Sequence, residues 1–496
     1  MSVIGNFAER QHTKLKKTYT ETPLQQGQWS WWQKFIFRIF FISFFILIVP
    51  LDLEYYTQWF TTDWSHLHIR DIGKLAGSSF SPIKIIDVQP GAGDLGSIGN
   101  AELSLFHIYT KEGSFGLASY INWALAFILG LIGAVIWTFI DRKSTHYREL
   151  YYFITVGVSY AMLIRLQGLT FSKVFPTQMP DLALTQLHTP FGDFTHQKLY
   201  WIQFSFVQGY EIFAGLAELA IMLLLFFRPT RALGAALSIA MVGNIAIANH
   251  LYDGGIHLAA SFYALGGAFV LWAYLPHLWR LIVLEKDTTL TIYHYPFKKK
   301  WQKITRLAVK TFIFTFFFAG SAYLHWQNYR YDSYKVPQQT GLPQSRGYYD
   351  VTEFKLNHQD ILYSPVDPHR WQQVTFEKWS TISFTVFDTF DIHGEAGRGK
   401  QFADIDRTYE SAGTGGGRRH YYYEADTINH ILHLHNKNKL YKDEKLTLHY
   451  QRPKPDRFIL SGKNENGDAI YMVLDKKQTE YPLYEAQKET VVWQYP

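Results

Sequence analysis

Seven long apolar stretches separated by short polar ones fill the first two thirds of the chain. After them the pattern changes to short runs in which apolar and polar residues mix. Crossing about 30 Å of hydrocarbon takes about 20 helical residues, and the stretches at 35–51, 115–140, 151–169, 202–227, 232–249, 257–275 and 308–324 fit that length. The later runs, at 382–387, 420–425, 429–435, 445–451, 457–461 and 469–475, combine β-branched or aromatic residues with polar ones. Turn formers separate them at 436–438, 453–456 and Asn466-Gly467-Asp468. The pattern predicts a polytopic α-helical membrane protein with a C-terminal antiparallel β meander or small barrel over 325–496. Between the first two spans, 52–114 is too long for a simple connector and too Gly-rich at Pro90-Gly91-Ala92-Gly93-Asp94 for one helix. It reads as an external cap or as a solvated loop. The Gly-rich, basic stretch 394–419 reads as a mobile loop interrupting the strands.

Charge orients the bundle. Of the 496 residues, 48 are Lys or Arg and 42 Asp or Glu. The basic clusters sit beside apolar runs, in the arm 1–34, at Asp141-Arg142-Lys143 to Arg148, at Arg228-Pro229-Thr230-Arg231, and in 285–307 with Lys298-Lys299-Lys300. Seven alternating helices put all of these on one side. By the positive-inside rule that side is cytoplasmic, so the N-terminus lies inside and the β domain is periplasmic, in a bacterial inner membrane. The arm is too long for a usual cleaved signal peptide and reads as part of an uncleaved anchor. No nucleic-acid motif accompanies the charge. The chain has no cysteine, which excludes disulfides, Cys-ligated zinc, iron–sulfur clusters and thiol redox chemistry carried by its own side chains.

The candidate chemistry lies between Tyr151 and Leu284, where apolar segments carry residues that are costly in hydrocarbon. Glu211 and Glu218 are two helical turns apart and share a face with Gly215. They can relay a proton or pair with Arg165 or Lys173, and structural ion pairs explain them as well. Arg165 can snorkel to the interface or bind an anion or quinone head group. Lys173 fits an interfacial position. Asn249, His250, Tyr252, Asp253 and His257 gather at one turn, where Asp253 stands between two imidazoles it can orient. A hydrogen-bonded interhelical turn accounts for the same residues, and their spacing matches no metal motif. In the β domain, His433 and His435 share one strand face, more in keeping with a solvated surface than with a metal site.

Phe171-Ser172-Lys173-Val174-Phe175-Pro176, Tyr210-Glu211 through Gly215 to Glu218, Phe227-Arg228-Pro229-Thr230-Arg231 to Gly234-Ala235, and Asn249-His250-Leu251-Tyr252-Asp253 together resemble the DoxX-like membrane proteins, especially large forms from Bacteroidetes. The likeness covers about 151–284 and implies a four-helix membrane core there. Some members of that family are subunits of thiosulfate:quinone oxidoreductase or of other membrane redox systems. The resemblance therefore implies a subunit that binds a quinone-like, lipid or small anionic ligand near the outer leaflet, with a separate redox partner. No flavin, haem or dinucleotide motif is recognisable, so quinone is the one cofactor the resemblance suggests. Gly254-Gly255 and His257 depart from the more rigid, Lys-bearing turn expected of the family. A structural or assembly protein whose periplasmic β domain binds a partner, and a transporter subunit, are the alternatives.

Overall fold

The structure is a computed structural model, and it describes residues 28–51, 53–77, 86–89, 106–109, 117–290, 292–331, 337–392 and 403–483. Much of the basic arm, the turn at 91–94 and the segment 393–402 lie outside the described residues. The membrane part begins at α1 (Trp31–Ile48), four residues before the apolar run. Ser30 starts it, because its Oγ accepts from the Gln33 amide while the Gln33 side chain accepts from the Ser30 amide. Two short helices follow, α2 (Leu53–Thr61) and α3 (Ile69–Leu75). Strands β1 (Ile86–Gln89) and β2 (Phe106–Tyr109) then pair in parallel. The described part of 52–114 is not a loose loop, since Tyr55 bonds the Leu75 carbonyl and Trp59 packs on Phe312 and Phe316.

The remaining spans are α4 (Ile121–Ile140) and α5 (Arg148–Val174), then α8 (Gln208–Phe226), α9 (Arg228–Leu251), α10 (His257–Ile282) and α11 (Lys300–Tyr331). With α1 they make seven helices long and apolar enough to cross a membrane, and the chain is an integral membrane protein. Between α5 and α8 lie a single turn, α6 (Leu184–Leu187), and the short helix α7 (His196–Ser205). Helix α11 extends well beyond its apolar run at both ends, and Lys310, near the start of that run, lies 4.5 Å from the Phe226 ring centre. Arg38 of α1 is buried and bonds Tyr147, Thr138 and the Asp141 carbonyl, tying α1 to the turn between α4 and α5. Close helix approach explains one glycine. A Cβ on Gly215 would stand 2.5 Å from the Val174 amide, at the crossing of α8 over the end of α5.

The C-terminal domain is a closed antiparallel barrel of eight strands: β3 (Gly347–Leu356), β5 (Gln373–Phe376), β6 (Thr381–Thr385), β7 (Arg418–Asp426), β8 (Ile431–Asn436), β9 (Lys445–Lys454), β10 (Arg457–Lys463) and β11 (Ala469–Lys476). A two-residue strand, β4 (Gln359–Asp360), sits beside β3. The barrel closes where Ile470 to Lys476 pair with Leu356 to Tyr349. Its interior is packed with side chains rather than hollow. Tyr349, Phe376, Tyr423, Leu432, Phe458 and Met472 are all fully buried, and the rings of Phe376 and Phe458 stack at 5.4 Å. His433 points outward and is exposed.

The stretch expected to be a mobile loop is otherwise in its described part. Residues 403–417 form a buried segment in which Arg407, Tyr409, Glu410 and Ala412 are at most 2% exposed. It runs against the segment between α5 and α8, with Thr195 donating to the Gly413 carbonyl and Gly415 donating to the Asp193 carbonyl. Three of its glycines, Gly413, Gly416 and Gly417, take positive φ, which explains the composition as turn chemistry.

Candidate functional site

In the bundle, Lys173 and Glu218 form a buried ion pair at 3.0 Å. The Lys173 ammonium also donates to the Leu169 carbonyl, and Thr170 reaches Glu218 at 3.5 Å. Glu211, two turns away on α8, accepts the Met179 amide at 3.2 Å. Of the two partners considered for the acids, Lys173 is the one that engages Glu218, and it is buried between helices. Arg165 donates to the carbonyls of Leu47 and Ile48 at the end of α1, with its guanidinium 5.0 Å from the Phe262 ring centre. It thereby caps helix carbonyls that have no intrahelical partner.

The later turn is built around Asn249. Its side-chain amide donates to the Ile245 carbonyl and the Tyr200 hydroxyl, and its oxygen accepts from the Ile256 amide. A Cβ on Gly254 would collide with that oxygen, so the packing requires glycine there. Tyr252 stacks on Tyr200. The two imidazoles come together, with ring centres 4.8 Å apart, but Asp253 is exposed and its side chain bonds neither. His250 instead meets the Tyr120 hydroxyl, and His257 meets Ser119 Oγ, each at 2.8 Å. The polar residues of the sequence pattern thus fall into separate clusters, one under the α5–α8 crossing and one at the α9–α10 turn.

A third cluster, without local sequence signal, lies where the barrel meets the bundle outside the spans. Glu377 accepts from the Leu184 and Thr185 amides at 2.9 and 2.7 Å, capping the start of α6. Thr185 Oγ1 joins Ser383 and His420 from β6 and β7. Tyr409 reaches into the bundle, its hydroxyl 2.8 Å from Ser205 Oγ of α7. Lys198 of α7 bonds the Tyr409 carbonyl and lies 4.1 Å from its ring centre. Beside it, Glu410 pairs with Lys437 at 3.1 Å and accepts from the Trp379 indole, while Arg407 lies 4.3 Å from the Trp379 ring centre.

Burial sets the ionisation of this junction. It pulls Lys198 down to about 7, against the pull of Glu410. It pushes Glu377 up to about 7, although two amides favour its anion. Burial also opposes the charge on Glu410, but Arg407 and Lys437 outweigh it and hold that carboxyl well below the usual range. His420 is kept neutral by burial and by Arg418. Two groups that exchange protons near neutrality, in a water-excluded cluster with one fixed anion, can act as an acid–base pair or as a lock whose strength depends on pH. None of these residues was singled out from the sequence.

The bundle also carries an apolar cleft of about 550 Å³, walled by α1, α4, α5 and α10. Phe40, Phe44, Leu47, Phe127, Leu265 and Ala268 line its length, and Gln33, Arg148 and Tyr293 lie at one end. Arg165 does not line it, but fixes the carbonyl end of the α1 wall. Among the described residues, no group of three His, Asp or Glu converges as a metal site would need. No family model matches the chain, and no curated protein or solved structure matches it either.

Proposed function

We propose that the protein is a DoxX-like inner-membrane subunit that holds a long-chain amphiphile, a quinone or a lipid, and works with a redox partner that supplies the redox centre. The observation that carries this reading is the apolar cleft between α1, α4, α5 and α10. Its 550 Å³ falls in the range of small-molecule sites, and it pairs a long apolar wall with a few polar groups at one end. The tail lies along Phe40, Phe44 and Leu47, and the head group meets Gln33, Arg148 and Tyr293. This departs from the outer-leaflet expectation, because Arg165 serves helix carbonyls and the polar groups of the cleft lie at the basic, cytoplasmic end. Lys173, Glu211 and Glu218 hold the α5–α8 pair together in this reading, and the periplasmic barrel is locked onto the opposite end.

Ala268→Trp tests it, since the residue is exposed on the cleft wall and a large side chain there fills the cleft without entering the core. Lipids and quinones extracted from the purified wild-type protein should include one long-chain species well above its share of the membrane. In the variant that species should fall about tenfold. Extracts that match bulk membrane composition in both proteins would overturn the reading. The second reading, an anchor whose barrel binds a partner, is favoured by the rigid attachment of the barrel at Glu377 and Tyr409. It predicts no enrichment in either extract.

A further inference from the structure

At the basic end of the bundle, cations from α9 and α11 meet against α5, α8 and α10. Arg231, in the first turn of α9, is buried, and its Nε has no partner. Among the described residues its guanidinium makes no hydrogen bond, and no ion pair involves Arg231, Arg306 or Lys310. The groups near enough to act on the Arg231 charge are the hydroxyls of Tyr152 and Tyr160 on α5 and of Tyr274 on α10, and the guanidinium of Arg306 on α11. Arg306 and Arg231 act in turn on Lys310, whose ammonium lies 4.5 Å from the Phe226 ring centre and 5.5 Å from that of Phe227, at the end of α8. Arg228, exposed at the same turn, adds its charge beside Tyr274.

The positive-inside bias accounts for exposed cations such as Arg228 and Arg306, which keep their water. It does not account for Arg231. A buried guanidinium without a counter-charge is costly, and like charges around it raise that cost. An anion offsets both if it offers several acceptor oxygens to the planar fork, which a phosphate does in bidentate fashion. The tyrosine hydroxyls supply further donors. The surface beside the cations is apolar, since Phe227 and Phe314 are 48% and 44% exposed and Phe314 packs on Phe226. A phosphate joined to hydrocarbon chains fits that combination, whereas a soluble phosphate ester would leave the rings uncovered.

We propose that this cluster binds an anionic phospholipid, with its phosphate on Arg231, Arg306 and Lys310 and its acyl chains along Phe227 and Phe314. Basic pockets between spans are a recurrent means of holding such head groups at a membrane surface. The site shares no residue with the cleft between α1, α4, α5 and α10, and Ala268→Trp should leave it filled.

Native mass spectrometry of the full chain in detergent tests this, with the micelles doped with phosphatidylglycerol or with phosphatidylcholine of the same chains. The wild-type protein should retain about tenfold more phosphatidylglycerol than phosphatidylcholine, whose ammonium the cluster repels, and Arg231→Gln should remove most of that preference. Because Arg231 is buried, Arg306→Gln is the companion variant, an exposed side chain whose loss should lower phosphatidylglycerol retention about fivefold. Arg142→Gln, which removes an exposed cation of the α4–α5 turn, should leave retention unchanged. An excess of glycerol phosphate should not displace the lipid. Equal retention of both lipids by the wild type, unchanged retention in Arg231→Gln or Arg306→Gln, an equal loss in Arg142→Gln, or displacement by glycerol phosphate would each overturn the proposal.

Discussion

The Tyr409 hydroxyl lies 2.8 Å from Ser205 Oγ, so a residue of the C-terminal domain is bonded to α7, the short helix that leads into α8. The same tyrosine carries the Lys198 ammonium on its carbonyl and over its ring. The barrel is thereby fastened to the bundle through a buried polar contact, and several outcomes follow from how that contact and the pairs beneath it are charged.

The junction should respond to pH in two opposite ways. Lys198, lowered by burial to about 7, binds fewer protons folded than unfolded between pH 7 and its ordinary 10.5, so it makes stability climb across that window. Glu377, raised by burial to about 7, binds more protons folded than unfolded between 4.5 and 7, so it makes stability fall as pH rises there. Thermal unfolding in detergent across pH 4.5 to 10 should show the alkaline climb flattened in Lys198→Met and the acidic decline flattened in Glu377→Gln. Profiles identical to wild type in both variants would rule this assignment out.

The Lys173–Glu218 pair should behave as a unit. Removing one partner leaves the other charge buried, at a cost of about 3–5 kcal/mol. Lys173→Met and Glu218→Gln should each lower the unfolding midpoint strongly, and the double variant should recover most of the loss. A double variant as unstable as the two losses added together would show that the charges are not coupled.

Gly215→Ala should be severe for so small a change. Its Cβ would stand 2.5 Å from the Val174 amide and 2.8 Å from Lys173 Cβ, so backbone must shift rather than a flexible side-chain end. Overpacking of this kind costs about 1–3 kcal/mol. Gly209→Ala, with open space around it, is the control and should leave the midpoint unchanged.

The α9–α10 turn should separate a structural residue from a surface one. Asn249→Ala leaves the buried Ile256 amide without its acceptor, a loss of about 1–3 kcal/mol. Asp253→Asn removes a charge that is exposed and bonds neither histidine, and its effect should stay within about 0.5 kcal/mol. Equal destabilisation by both would restore the idea that Asp253 orients His250 or His257.

The spans and the later strands were readable because their determinants are local. Hydrocarbon length imposes a continuous apolar run, and the turns at Asn436–Asn438 and Asn466–Asp468 punctuate strands that pair with their neighbours in sequence. Strands β3 and β5 escaped notice. The first carries Asp350, Glu353 and Lys355 and pairs along one edge with β11, more than a hundred residues later, and the second is only four residues long. Gly215 and the acids of α8 were identified as one helix face, and Lys173 was one of two partners considered. Lys198, Glu377, Tyr409 and Glu410 left no trace in the sequence reading, because each is made chemically unusual only by residues brought from other segments. The Gly-rich composition around Tyr409 pointed toward mobility, whereas its glycines supply the turns of a buried segment.

Closure of the barrel by β3 and β11 carries a consequence for biogenesis. The first strand begins at Gly347 and the strand that completes its ladder ends at Lys476, so the seam cannot form until nearly the whole domain has been synthesised. The helices are made well before then, and the Leu184 and Thr185 amides wait in water for Glu377 to arrive. The spans therefore precede the closed barrel. A chain halted before β11 leaves Tyr349 of β3 and Phe458 of β10 beside an open seam, a direct substrate for whatever surveillance protease shares its compartment.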